Sequence, residues 1–307
     1  MSRLLFLSLL IVATGCTSSE TSGVRVDGDV TGPALSFLFG SYTGAEVADP
    51  FASGLLTRDG SAVYVDADQL PGTLDVDGDG NATRDEIREW VQATYAQARD
   101  LPPTLDALDA DGSYRDGFCT EGRGVMTQHA RRVCVPEPAL RSALRAFADS
   151  GRVAYPVGTL LVGEHWDTNG GGDSTLVETT VKLRRSDGFW DFMVYNESGN
   201  LAERTDAAPR ALNAPTQCVG CHLGQRAFEP EASFPALAPD GAHGPQALYV
   251  PDAWRDADLV ALFDEHLRRD DHVLGLYATF YAAHLRTLRA MGTLDAEGEQ
   301  LLADLDL

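Results

Sequence analysis

Cys218-Val219-Gly220-Cys221-His222 sets two thiols two residues apart, with an imidazole directly behind the second. Each sulfur at this spacing can add to one vinyl group of the same haem, and the histidine that follows is carried beneath the ring to ligate the iron. Two other chemistries use the same residues. Cys218 and Cys221 can close a local disulfide beside an incidental histidine, or the three side chains can supply part of a zinc site. Zinc needs further ligands, and the sequence holds no second Cys-x-x-Cys pair.

A second constellation runs from Asp75 to Glu86. Oxygen ligands fall at loop positions 1, 3 and 5 (Asp75, Asp77, Asp79), Gly80 stands at position 6 where the chain must turn sharply, and Glu86 at position 12 can bind in bidentate fashion. Asn81 offers its backbone carbonyl, and Thr83 sits where a ligand often acts through water. These positions complete an EF-hand calcium loop. Ile87, Trp90, Val91 and Tyr95 recur at helical spacing behind it, which supplies the exit helix over 85–98. Ahead of the loop, Pro71 and Gly72 interrupt any long entering helix, so that helix is expected to be short or displaced. The nearest candidate for a second loop begins at Asp109, but it has Tyr114 where glycine is needed and no glutamate at position 12, and it reads as an acidic turn. A lone loop outside the cell, where calcium is abundant, is expected to act as a structural staple.

The N-terminus tells where such chemistry would take place. Arg3 precedes an apolar run over 4–12, and Ala13-Thr14-Gly15 leads into Cys16, the layout of a cleavable signal peptide too short to remain as a spanning helix. A cysteine directly after small residues resembles the lipobox of bacterial lipoproteins, which implies cleavage before Cys16 and a lipid on its sulfur. The alternative is an ordinary secretory signal with a chance cysteine. Thr17, where inner-membrane proteins often carry aspartate, points to the outer membrane.

Export also sorts the five cysteines. With Cys16 assigned to lipid and Cys218 and Cys221 to haem, Cys119 and Cys134 remain, and two leftover thiols in an oxidising compartment are expected to pair. Closing the loop between them is worth about 3 kcal/mol in the chain-entropy model.

Composition bounds the rest. The 307 residues, 44% of them hydrophobic, can bury a sizeable core. A net charge of -22 argues against nucleic acid or an anionic membrane surface as partner. Acidity does suit a body held at a membrane by lipid alone. Lys182 is the only lysine. No nucleotide-binding glycine loop, nucleophile elbow or zinc-protease helix occurs, so any catalysis is expected to run through the iron.

The elements that must position these residues follow from period. Leu140, Leu144 and Phe147 mark an amphipathic helix over 136–151, after which the period shortens to that of strands at 158–166, 174–184 and 189–195. Beyond a proline- and glycine-rich connection over 235–251, helical patterns return at 256–269, 272–291 and 295–305. Tyr155-Pro156-Val157-Gly158-Thr159-Leu160-Leu161-Val162, then Val181-Lys182-Leu183-Arg184, Phe189-Trp190-Asp191-Phe192 and the haem motif together resemble the cytochrome P-460 and cytochrome c-prime-beta family over roughly 136–234. That resemblance implies an antiparallel-sheet haem domain with His222 as proximal ligand and the opposite haem face turned toward nitric oxide, hydroxylamine or peroxide. The hydroxylamine-oxidising branch carries a lysine crosslinked to its haem, a place only Lys182 can fill here, although strand alternation can equally point it at solvent.

For the sixth position on the iron, His129, His165, His243, His266, His272, His284, Met126, Met193 and Met291 are formally available. His284 shares a helical face with Tyr277 and Tyr281, and Met193 lies on the aromatic strand. The expected class is α+β: a signal peptide (1–15), a lipidated tether (16–33), an EF-hand region (34–116), a haem domain (117–235) and a helical C-terminal region (236–307). The expected function is that of a lipid-anchored, calcium-binding monohaem cytochrome of the cell envelope, serving electron transfer or small-molecule redox chemistry, with a redox protein as partner. Its competitor is a non-catalytic, calcium-stabilised surface lipoprotein whose Cys218 and Cys221 form a disulfide.

Overall fold

In the computed structural model of the chain, the residues described are 23–28, 33–43, 49–123, 129–167, 174–206, 211–218 and 272–307. Cys16, Cys221 and His222 lie outside them, as do Met126, His243, His266 and the helical pattern at 256–269.

The N-terminal part is built around a small sheet. Strand β1 (Val24–Val26) sits between β3 (Ala62–Val65), antiparallel to it, and β4 (Asn81–Ala82), parallel to it, and β2 (Leu56–Asp59) forms the outer hairpin arm beside β3. Residues 24–26, within the stretch expected as a tether, are thus a paired strand. Helix α1 (Pro33–Gly40) buries Leu35, Phe37, Leu38 and Phe39. Helix α2 (Arg84–Ala98) starts at a capping box, in which Thr83 Oγ1 accepts from the Glu86 amide and a Glu86 carboxylate oxygen accepts from the Thr83 amide. Its spacing buries Ile87, Trp90, Val91 and Tyr95, as the sequence period requires.

A one-turn helix, α3 (Leu105–Leu108), leads to a six-stranded sheet in which sequence neighbours pair in turn. Its strands are β5 (Phe118–Arg123), β6 (Ala130–Val135), β7 (Leu160–Asp167), β8 (Thr175–Arg184), β9 (Trp190–Asn196) and β10 (Leu201–Ala202), all antiparallel. Helix α4 (Glu137–Ser150) crosses between β6 and β7. The C-terminal pair α5 (His272–Ala290) and α6 (Ala296–Asp304) packs with it.

Alternation along the strands divides the large sheet into two faces. Val133, Val135, Leu161, Trp190 and Phe192 join one core with Phe37, Trp90, Tyr95, Leu140, Tyr281 and Leu301, so this face carries α1, α2, α4, α5 and α6. The opposite face holds a smaller cluster of Tyr114, Cys134, Val162, Val181, Met193 and Tyr195. The class is α+β, with antiparallel sheets and helices segregated against them. The three expected regions share their apolar core rather than each closing its own.

Candidate metal and cofactor sites

The calcium-type loop forms because its own backbone folds onto its carboxylates. Asp75 accepts from the amides of Gly78 and Gly80, both at 2.8 Å, Asp77 accepts from Asp79 at 3.1 Å, and Asp79 accepts from Asn81 at 2.7 Å. Gly80 takes a φ of 85°, a conformation costly for any residue with a Cβ. Carboxylate oxygens of Asp75, Asp77 and Glu86 come within 4.8 Å of one another, the one such group of metal-ligating side chains among the described residues. Bonds from the Thr83 hydroxyl and amide, and then from the Val76 amide, hold the Glu86 carboxyl below its ordinary pKa, so it stays ionised at neutral pH. Asp79 stands outside the cluster of three.

Two features depart from a paired EF-hand. No helix enters the loop: a 3₁₀ turn at Ala67–Gln69 ends well before it, and the Trp90 indole donates to the Pro71 carbonyl instead. A second loop would ordinarily pair with the strand at Asn81–Ala82, but β1 takes that place, with the Arg25 amide bonded to Gly80 and the Asp27 amide to Ala82. The acidic turn at Asp109 has its own explanation. Tyr114 is 2% exposed and donates through its hydroxyl to Glu164 on β7, which Arg115 also binds.

Of the haem motif, Cys218 alone is described. It is partly buried and packs against the larger core, the one that includes Leu161 and Phe192. The segment leading to it is tied to that side as well, since the Asp206 amide donates to the Glu178 carboxylate on β8. Cys119 and Cys134 are paired as expected, directly opposite each other on β5 and β6.

The core-facing side of the large sheet also buries polar groups, Lys182 and His165 among them. Lys182 is 7% exposed and stands in register between Leu161 and Phe192, which places it on the core side, not toward solvent. His165 lies on β7 with Leu161 and Gly163, opposite Glu178 on one side and Arg131 on the other. It is 4% exposed, and neither ring nitrogen has a hydrogen-bond partner. Burial, and then the nearby charges of Arg131, Lys182 and His129, pushes its pKa down to about 2, so the ring is a neutral imidazole. Gly163 explains why Arg131 fits beside it: a Cβ there would come within 2.8 Å of Thr180 Oγ1 and 3.4 Å of Arg131 Nε. The only signal in the sequence was the alternation of Leu161, Gly163 and His165 along one strand.

Three further candidates for the sixth position sit elsewhere, whereas His129 lies close enough to His165 to act on its charge. Met193 belongs to the smaller cluster on the opposite face, where its sulfur accepts from the Tyr195 hydroxyl at 3.4 Å. His284 packs its ring against Phe118, 5.2 Å between centroids, and against Tyr281, and burial lowers its pKa. Met291 is exposed. No helix among the described residues is long and apolar enough to cross a membrane. No protein-family model matches the chain, and no curated protein is significantly similar to it.

Proposed function

We propose that this chain is an exported, lipid-anchored monohaem c-type cytochrome, stapled by calcium, that serves electron transfer or redox chemistry on a small ligand such as a nitrogen oxide, hydroxylamine or peroxide. The observation that carries the reading is the position of Cys218, partly buried against the larger core to which the sheet contributes Leu161 and Phe192, on the face that also buries Lys182 and His165, whose ring nitrogens have no hydrogen-bond partner. Two buried ring nitrogens without partners cost roughly 1–3 kcal/mol each unless something occupies the space they face, and a haem held on this face fits that need. Cys218 and Cys221 would form the thioethers and His222 the axial bond. Bound there, the haem supplies an iron that changes oxidation state.

The chain's own groups then set its surroundings. Val133, Leu161 and Phe192 keep water away, while Arg131 and Lys182 place positive charge on the same face. At the other end, Asp75, Asp77 and Glu86, with Asp79 and the Asn81 carbonyl, would hold calcium and fix the start of α2. Cys16 would tether the acidic body to the envelope membrane, and a soluble redox protein is the expected partner. In-gel haem staining after denaturation tests the covalent link: wild type stains, and Cys218→Ala with Cys221→Ala does not. Equal staining of both, or none in wild type, removes the reading and leaves a calcium-stabilised surface lipoprotein in its place.

A further inference from the structure

We propose that Arg131 and His165 form a binding site for a small carboxylate on the core-facing side of the large sheet. The site is built from described residues alone and stands whether or not the chain carries a haem. Strand register sets Arg131 on β6 directly opposite His165 on β7. Gly163, on the same face of β7, forms the floor between them: a Cβ there would meet Arg131 Nε at 3.4 Å, Arg131 Nη2 at 3.5 Å and Thr180 Oγ1 at 2.8 Å. The guanidinium therefore lies over bare backbone, beside the imidazole.

Both groups lack an acceptor. Arg131 Nε is buried without a hydrogen-bond partner, and so are the two ring nitrogens of His165, a residue 4% exposed. The contrast with the other arginines that reach into the sheet is direct, because Arg99 and Arg185 meet Asp191 and Arg115 meets Glu164. In a chain with 46 acidic residues against 24 basic ones, Arg131 is given none of them among the described residues. Its counter-charge has to come from outside the sheet. Arg131 and Lys182 both lie close enough to His165 to act on its charge, and Glu178, which faces His165 from β8, takes the Asp206 amide. Two cations against that carboxylate leave a place for one further negative charge. A guanidinium presents N–H donors in a planar fork that matches the two oxygens of a carboxylate, and an imidazole N–H can donate to the same group from the side. Two sources carry such a group: a free small acid, and the propionate arms of a haem laid on this face.

The test is calorimetric titration of acetate, with chloride at equal ionic strength as control, into the full chain produced with and without a cytochrome c maturation system. Acetate is expected to bind at one site per chain and to raise the melting temperature, where chloride does not. Arg131→Gln removes the fork and should weaken binding about ten- to a hundredfold. Gly163→Ala, which displaces the guanidinium without removing a charge, should weaken it as well. Binding by both preparations supports a free acid as the ligand, and binding confined to the haem-free preparation supports a haem propionate as the carboxylate. If the chain loads no haem the two preparations are the same protein, and the acetate result stands apart from the haem reading. No heat and no melting shift with acetate in either preparation overturns the site, and so does acetate binding that Arg131→Gln and Gly163→Ala leave unchanged. The wild-type melting shift needs no variant, so the test holds even where a substitution prevents folding.

Discussion

Replacing Asp191 with alanine is expected to cost about 3 kcal/mol, the low end of the range for breaking a buried ion pair. Asp191 is 3% exposed at the start of β9. One of its oxygens accepts from the Tyr95 hydroxyl at 2.6 Å and from Arg99 Nε at 3.0 Å, the other from Arg99 Nη2 at 3.1 Å, and Arg185 approaches to 3.6 Å. Removing the carboxylate strands the Tyr95 hydroxyl and leaves Arg185, whose side chain is 2% exposed, with Asp187 as its remaining counter-charge. Two things keep the cost from the upper end: Arg185 retains Asp187 and the Ser41 hydroxyl, and Arg99 is 27% exposed and can turn to water. For a chain of this size the loss lowers Tm by roughly 6–10 °C. Equilibrium urea unfolding of Asp191→Ala, Arg99→Ala and the double variant measures it, with Tyr95→Phe as a milder change expected to cost about 1 kcal/mol. Arg88→Ala, which removes the exposed pair to Asp85, should stay within about 1 kcal/mol of wild type. An Asp191→Ala loss no larger than that of Arg88→Ala, or a double variant that shows simple additivity, would refute the claim that this cluster fastens α2 to the large sheet.

Calcium at a hundredfold excess over its Kd should stabilise wild type by about 2.7 kcal/mol, and Glu86→Gln, which can keep the capping box, should lose that increment while matching wild type in chelator. Melting temperatures that are equal with calcium and with chelator in wild type remove the staple. Reducing Cys119–Cys134 should lower stability by about 3 kcal/mol in denaturant titrations, and an unchanged midpoint would show that the β5–β6 pairing needs no crosslink. His165 titrates near 6.5 when unfolded and near 2 when folded, so the unfolded chain binds the extra proton and stability falls as pH drops below 6.5. From pH 6.5 to 5 that loss is roughly 1.5 kcal/mol; it is absent in His165→Phe, and parallel stability profiles for the two proteins would contradict it.

Much of the frame was legible in local pattern. Strands β7 to β9 and helices α4, α5 and α6 fall where apolar period changes from helical to alternating and back, and Cys119 and Cys134 pair as the sorting of cysteines required. The acidic loop at Asp75 to Glu86 also gathers its carboxylates as its residue spacing dictates, and where a short or displaced entering helix was expected the chain has only a 3₁₀ turn ahead of Pro71 and Gly72. What escaped was set by partners distant in sequence. Strand β6 reads as polar at Arg131 and Arg132, and only its place between β5 and β7 makes it a strand. Val24–Val26 carry no signal until Gly80 and Ala82 offer carbonyls to the Arg25 and Asp27 amides. Arg185, Asp187 and Asp191 look like a solvated turn because their burial depends on α1 and α2 closing over them. Lys182 had two equal choices of face, and the register with Leu161 and Phe192 decided between them.

The central claim is that one haem is joined covalently through Cys218 and Cys221, and a pyridine haemochrome spectrum of the purified full chain tests it most directly. Produced with the cytochrome c maturation system, the protein should give the band of a haem with both vinyl groups saturated, at one haem per chain. Absence of Soret absorbance under those conditions, or a haem that acid–acetone extracts from the polypeptide, would contradict it.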